Sequence, residues 1–248
     1  MQVTQGLMQM HNNAYIFDVD GTLTRSRQFM DAEFKAFFLE FASANQCYIA
    51  TGSDYSKTLE QLGKDVMHAV VRSYNCSGNS VWEKGKSVYT AEWKLQDNVR
   101  KFLEDAVENS HWKIKTGTHI EQRPGMVNFS VLGRGATIEE RAQYVDFDTD
   151  EGERFNVATQ FNALFGSKGL QAHVAGATGI DIAPYGKDKR QILKDFDDMH
   201  VSFYGDMMHD GGNDKPLKDA IIARNNTQDK TFTVTDWKHT FKLLKEVY

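Results

Sequence analysis

The stretch Tyr15-Ile16-Phe17-Asp18-Val19-Asp20-Gly21-Thr22-Leu23-Thr24 decides how this chain is read. An apolar run stops at two aspartates one residue apart, and a glycine follows. A buried strand that ends in acids and a turn is how an open α/β sheet carries chemistry at the carboxyl ends of its strands. Residues i and i+2 of a strand share a side, so Asp18 and Asp20 reach one small volume as the strand ends. Two carboxylates that close repel unless a cation or a shared proton relieves them. A hard divalent cation with oxygen ligands, most simply Mg²⁺, is the economical answer. One aspartate then suits a phosphoryl-accepting nucleophile and the other a proton exchanger. The plainer alternative is a strand end with solvated acids in an Asp-Gly turn, and for a bare D-x-D-G it is the better one.

The chain around this stretch has 248 residues, 40% hydrophobic and 25% charged, enough for one large domain or two modest ones. A net charge of -5 calls for neither nucleic acid nor an anionic membrane as partner. An anionic substrate therefore needs a local basic site. Cys47 and Cys76 are too few for a disulfide framework, and a reduced, cytoplasmic compartment is the simpler reading. The polar start, Met1 to Asn13, shows no signal peptide. No apolar run approaches the ~18 residues of a membrane span.

Downstream, Arg25 to Ala44 carries Phe29, Met30, Phe34, Phe37, Phe38 and Phe41 at helical spacing and reads as an amphipathic helix with a core-facing stripe. Gln46 to Ala50 is a second strand, ending in Thr51-Gly52-Ser53-Asp54 before a helix from Tyr55 to about Gly63. A hydroxyl and a glycine at such a junction can present O–H and N–H groups to a phosphate. Equally, Ser53 or Asp54 can cap the helix. Ala69 to Val71 reads as a third strand, and Val81 to Tyr89 as a hairpin turning at Lys84-Gly85.

The pattern then changes. A helix over Leu95 to Asn109 precedes a strand over Trp112 to Ile120 and a half-buried strand over Met126 to Leu132. Thr137 to Glu140 is a capping box that opens a helix. An acidic, solvated loop follows over Asp146 to Glu153, then a helix over Arg154 to Phe165 and strands over Leu170 to Ala175 and Gly179 to Ala183. Strand and helix runs of this kind are α+β, so Glu92 to Tyr185 is expected to form an inserted second domain. Its Arg123, Arg134 and Arg141 can form an anion clamp, although each taken alone reads as an exposed surface arginine. Gly186-Lys187-Asp188-Lys189-Arg190 opens a helix to Phe196, where a lysine either neutralises a phosphoryl group or simply begins a charged helix. His200 to Tyr204 is a buried strand ended by Gly205-Asp206. Asp210 and Asp214 follow within reach, in a loop that closes on Gly211-Gly212-Asn213-Asp214. A helix over Pro216 to Ala223, a strand over Thr231 to Thr235 and a helix over Trp237 to Val247 complete the chain.

Taken in order, Phe17-Asp18-Val19-Asp20-Gly21-Thr22, Thr51-Gly52-Ser53-Asp54, Lys189 and Gly205-Asp206 with Gly211 to Asp214 resemble the haloacid dehalogenase superfamily with an inserted cap. Arg123-Pro-Gly-Met-Val-Asn128, Gly133-Arg134, Glu139-Glu140-Arg141, Asp181 and Gly186 to Arg190 narrow the resemblance to the eukaryotic-type phosphomannomutases. It covers nearly the full length. It implies an α/β fold, a doubly wound parallel-sheet core from residues 1–91 and 186–248, and an α+β cap over 92–185. It implies Asp18 as nucleophile, Asp20 as general acid/base and Lys189 as the cation on the transferring group. Thr51 and Ser53 bind phosphate. Arg123, Arg134, Arg141, Asp181 and Gly179 bind substrate. Asp18, Asp20 (through its backbone carbonyl) and Asp206 hold Mg²⁺, supported by Asp210, Asn213 and Asp214. The implied activity is exchange of mannose 6-phosphate and mannose 1-phosphate with a hexose 1,6-bisphosphate activator, in a cytoplasmic homodimer paired through the cap. The chain departs from the family at Gly179, where a serine is usual, at Pro124, at Ala175-Gly176-Ala177 and at His209-Asp210. A phosphatase on the same fold and a non-catalytic sugar-phosphate binder are the alternatives. Intact Asp18, Asp20, Lys189 and Asp206 speak against the binder.

Overall fold

Asn13–Phe17 (β1) is an interior strand of a seven-stranded sheet. The structure is a computed structural model and describes residues 13–247, so the expectations for residues 1–12 lie outside the described residues. The other strands of this sheet are Gln46–Ala50 (β2), Arg72–Asn75 (β3), Ser80–Glu83 (β4), Lys86–Thr90 (β5), His200–Gly205 (β10) and Lys230–Thr233 (β11), in the order β11-β10-β1-β2-β3-β4-β5. β1 pairs in parallel with β10 and β2, and β11 and β3 extend the parallel set. The β4–β5 hairpin closes one edge antiparallel.

Parallel strands are buried on both faces, and β1 reads accordingly. Phe17 packs on one side with Phe34, Phe38 and Phe41 of Ala32–Ala44 (α1) and with Leu62 and Val66 of Tyr55–Ala69 (α2). Ala14 and Ile16 pack on the other with Ile192 and Phe196 of the 3₁₀ helix Lys189–Phe196 and with Leu217 and Ile221 of Lys215–Ala223 (α6). The last helix, Trp237–Val247 (α7), lies with α1.

The second sheet is antiparallel and four-stranded, in the order β6-β7-β9-β8. Its strands are Ile120–Arg123 (β6), Met126–Phe129 (β7), Leu170–Ala175 (β8) and Gly179–Pro184 (β9). The helices Asp97–Asn109 (α3), Ile138–Glu151 (α4) and Glu153–Phe165 (α5) cover one face, against Val127, Phe129, Ile180 and Ile182. This is the α+β cap on an α/β core. Strand pleating decides what the other face carries. Asn128 pairs with Glu121 and with Asp181, and Asp181 pairs with His173, so these side chains and Arg123 share the face turned toward the core.

Several local expectations give way to tertiary context. α1 begins only at Ala32, after Asp31 caps it by accepting from the amides of Glu33 and Phe34, and Phe29 is 76% exposed outside it. The expected helix end at Gly63 is a kink, with Gly63 at φ 84, beyond which a second helical stretch carries α2 on to Ala69, so the third strand starts at Arg72 instead of Ala69. Residues 112–119 form no strand beyond a single bridge from Thr116 to Gly133. The acidic run over Asp146 to Glu151 stays helical up to Gly152 at φ 65, and Asp148 pairs with Arg154 at 2.7 Å. Asn128 and Ser130, expected on a wet face, are buried, because the polar side of β7 lies over the core.

Candidate active site

Adjacent parallel strands bring Asp18, Thr51 and Asp206 together, since each follows the carboxyl end of β1, β2 or β10. The Asp18 amide donates to the Tyr204 carbonyl at 3.0 Å, continuing the ladder one residue past β1. Lys189 Nζ lies 2.6 Å from Asp18 Oδ1 and 2.6 Å from Asp214 Oδ1, and its side chain has no solvent exposure. Burial would lower the Lys189 pKa, but Asp18 and Asp214 outweigh it and hold the ammonium charged. The Asp18 carboxyl is pushed up to about 7 by burial, only partly offset by Lys189, with Asp214 raising it further. Asp206 is also held well above the ordinary carboxylate range by burial and by Asp18.

Asp18, Asp206 and Asp214 offer carboxylate oxygens within 4.8 Å of one another, and Asp206 Oδ1 is a buried acceptor without a partner. One lysine leaves such a cluster short of positive charge. The donor set fits a hard divalent cation held by oxygens. Gly21 makes room for it: at φ +86 it lies where a Cβ would run into the Asp206 carboxylate.

The Asp20 carboxylate is not part of that cluster. It turns toward α2, where Lys57 Nζ lies 2.6 Å from Oδ2, Ser53 Oγ 3.3 Å from Oδ2 and Gln61 Nε2 2.9 Å from Oδ1. Burial would raise its pKa, but Lys57 outweighs this and holds it well below the usual range. Thr51 and Ser53 are both buried, and the Ser53 amide donates to Thr51 Oγ1 at 3.1 Å. Asp54 caps α2 by accepting from the Lys57 amide, while Thr51, Gly52 and Ser53 of the same turn line the cavity.

The cap closes the cavity from above. Arg123 donates from Nη1 to the Gly52 carbonyl at 2.8 Å. The three expected arginines, Arg123, Arg134 and Arg141, line one cavity with Asp18, Asp20, Thr51 and Ser53. Burial pushes the Arg134 and Arg141 guanidiniums down to about 10, which leaves both charged at neutral pH. Asn128 bonds Asp181 Oδ1 at 2.7 Å and also accepts from Arg134, while Asp181 Oδ2 is buried without a partner and faces Gly52. Gly179 lies buried in the same wall. The backbone joins cap to core as well: Val174 N donates to Gly211 O at 2.7 Å and Asn213 N to Val174 O at 3.0 Å.

Most expected site residues therefore converge. Asp210 does not; its side chain is 92% exposed and lies 3.5 Å from Lys215. Asp214 takes the place beside Lys189 instead. Residues missed in the sequence are Lys57, Gln61, Glu121, Asn128 and Arg27, all drawn in by pairing or packing. Lys57 and Gln61 had a signal, being i and i+4 on the helix after the phosphate turn. Glu121 and Asn128 become visible only once β6 and β7 are in register.

Sequence comparison settles the family. The family model described as Eukaryotic phosphomannomutase matches residues 34–248. The chain belongs to the eukaryotic phosphomannomutase family. A protein named Probable phosphomannomutase from Caenorhabditis elegans is 34% identical over 250 residues, covering 94% of this chain and 95% of that protein. Phosphomannomutase 1 from Homo sapiens is 34% identical, covering 80% of each chain. Among solved structures, an N-terminally truncated Plasmodium falciparum IMP-nucleotidase superposes with a TM-score of 0.65 at 14% identity, covering 97% of this chain and 71% of that one. A haloacid dehalogenase-like hydrolase from Bacteroides thetaiotaomicron superposes with a TM-score of 0.54 at 12% identity, covering 96% and 100%. These structural likenesses speak to the fold alone. For a phosphomannomutase-family enzyme the paired features matter: a buried nucleophile-type carboxylate with a lysine on the core, and a cluster of arginines on the cap.

Proposed function

We propose that this enzyme is a phosphohexomutase interconverting mannose 6-phosphate and mannose 1-phosphate through an aspartyl-phosphate and a hexose 1,6-bisphosphate intermediate. The two-sided cavity carries this reading, with Asp18 and Ser53 on the core side and Arg123, Arg134 and Arg141 on the cap side. A phosphatase needs one phosphate grip, whereas a bisphosphate has two anionic ends, and arginine forks suit phosphate oxygens.

The phosphoryl group on Asp18 passes to the free hydroxyl of the hexose monophosphate: the bond to the Asp18 oxygen breaks, the bond to the sugar oxygen forms, and Asp20 takes the hydroxyl proton. Once the bisphosphate has turned, Asp18 attacks the other phosphorus, the bond from that phosphorus to the sugar oxygen breaks, and Asp20 returns the proton to that oxygen. Lys189 neutralises charge beside Asp18, and Thr51 and Ser53 hold the transferring group. The cap arginines hold the distal phosphate, with Asp181 at the sugar and Gly179 beside it. Asp18, the Asp20 backbone carbonyl and Asp206 would hold Mg²⁺, supported by Asn213 and Asp214. When bound, Mg²⁺ offsets the negative charge on the transferring phosphoryl oxygens. Closure of the cap excludes water, so the phosphoryl group passes to sugar.

The same reading divides the chain into a core of residues 1–91 and 186–248 and a cap of 92–185, in keeping with the two sheets. It makes the enzyme a homodimer paired through the cap, testable by sedimentation. It also makes it cytoplasmic. Cys47 and Cys76 are free and buried, as a reducing compartment allows. No helix among the described residues is long and apolar enough to cross a membrane.

The test supplies mannose 1-phosphate, hexose 1,6-bisphosphate and Mg²⁺. Mannose 6-phosphate is expected, and Asp18→Asn should abolish its formation. Free phosphate without isomerised sugar would replace the mutase with the phosphatase.

A further inference from the structure

Asp20 is the proton exchanger of the proposed reaction, and this inference rests on that reading. A proton exchanger must present its carboxylate at a fixed place. Three groups around Asp20 supply that constraint without a task of their own in the chemistry. Lys57 Nζ lies 2.6 Å from Oδ2 and 2.9 Å from Ser53 Oγ. Gln61 Nε2 donates to Oδ1 at 2.9 Å and the Arg27 amide at 3.1 Å. Gln61 is in turn fixed by a bond to Thr24 Oγ1 at 3.0 Å. On the Oδ2 side Ser53 Oγ donates weakly at 3.3 Å, and Lys57 bridges carboxylate and hydroxyl at the shorter distances.

Lysine is a poor residue for this position on stability grounds. It lies in the first turn of α2, where the helix dipole disfavours a cation. Burial and the nearby Arg123 and Arg134 guanidiniums also work against its charge. Asp20 is the anion that offsets all of these. Arg141, on the cap, also lies within electrostatic range of Asp20. A carboxylate released on its Oδ2 side would be drawn toward that arginine, away from the sugar oxygen it must serve, and would neutralise a guanidinium needed for substrate.

We propose that Lys57 is a positioning residue for the mutase reaction. It locks the Asp20 carboxylate to Ser53, so that proton exchanger and phosphate grip form one rigid unit, and it keeps Asp20 apart from Arg141.

The test uses Lys57→Met, which keeps length and apolar packing. For isomerisation of mannose 1-phosphate, kcat should fall about 100-fold, the scale of a lost general acid. KM should stay within about threefold; the melting temperature should fall, because the buried Asp20 carboxylate loses its counter-charge, so the positioning role is read from the split between kcat and KM. Lys57→Arg should recover part of kcat. In an Asp20→Asn background, adding Lys57→Met should cost nothing further, since Lys57 acts through Asp20. A crystal structure of Lys57→Met should show the Asp20 carboxylate turned away from Ser53. A kcat within about threefold of the parent enzyme overturns the proposal. So does an additive loss in the double variant, which would mean direct contact with phosphate, and so does an unmoved Asp20. If the parent enzyme neither isomerises nor hydrolyses sugar phosphates, the functional reading fails instead, and the crystal structure still decides Lys57.

Discussion

Glu121 Oε2 lies 2.5 Å from Arg123 Nη2 and 3.0 Å from Arg134 Nε, so one carboxylate holds two cap guanidiniums side by side. Burial would raise its pKa, but Arg123 and Arg134 outweigh it and hold it ionised. Two like charges this close need that anion until a phosphate arrives.

Glu121→Gln should therefore splay Arg123 and Arg134. We expect KM for mannose 1-phosphate to rise about tenfold, the scale of one charge-assisted hydrogen bond of about 1.5 kcal/mol. Steady-state kinetics at two salt concentrations checks this, and an unchanged KM would show that the arginines position each other without Glu121.

Gly179→Ser adds a hydroxyl to the cavity wall but meets close neighbours there. Its Cβ would come 3.0 Å from Asn128 Nδ2 and 3.2 Å from the Ala175 carbonyl. Asn128 must shift, loosening its hold on Arg134 and Asp181. Stability should fall by about 1–3 kcal/mol, the usual range for overpacking, and KM should rise while Asp18 phosphorylation by a small phosphate ester stays intact. A variant with lowered KM would mean the added hydroxyl outweighs the displacement.

At Gly21 the positive φ and the Asp206 carboxylate act together. Gly21→Ala should cost about 1–3 kcal/mol of backbone strain and weaken Mg²⁺ binding by displacing Asp206. Thermal melts and Mg²⁺ titration measure both. Wild-type Mg²⁺ affinity in this variant would remove Asp206 from the metal site.

The carboxylate cluster also sets a pH dependence. Asp18 titrates at about 7 in the folded chain, against about 3.9 unfolded. The metal-free folded chain thus binds that proton more tightly. This group's contribution to stability is greatest below about pH 4 and is lost as the pH rises toward 7. Mg²⁺ needs the deprotonated carboxylates. The rise in melting temperature on adding Mg²⁺ should grow between about pH 5 and about pH 8. A constant rise would place the cation elsewhere.

The convergence of Asp18, Thr51 and Asp206 was legible because all three sit at strand ends, each after a recognisable apolar run. Strand register was not legible. Nothing local in Ile120–Arg123 announces that Glu121 faces Asn128, or that both look into a cavity. Asp210 looked equivalent to Asp214 by spacing. The turn at Gly211, with φ +83, separates them, leaving one outward and the other beside Lys189. Phe29 matched a helical period by coincidence, because Asp31 begins the helix two residues later.

The two hydrogen bonds that tie Val174 to Gly211 and Asn213 are made entirely by main chain. Their donors and acceptors are backbone atoms, and the local side-chain constraint falls on two glycines, Gly211 at φ +83 and Gly212, where a Cβ would run into the Met207 carbonyl. Substitutions at positions 175–177 and 209–210 can therefore leave cap and core coupled as long as both glycines stay. Substitution around this seam changes what the seam displays and leaves its fastening in place.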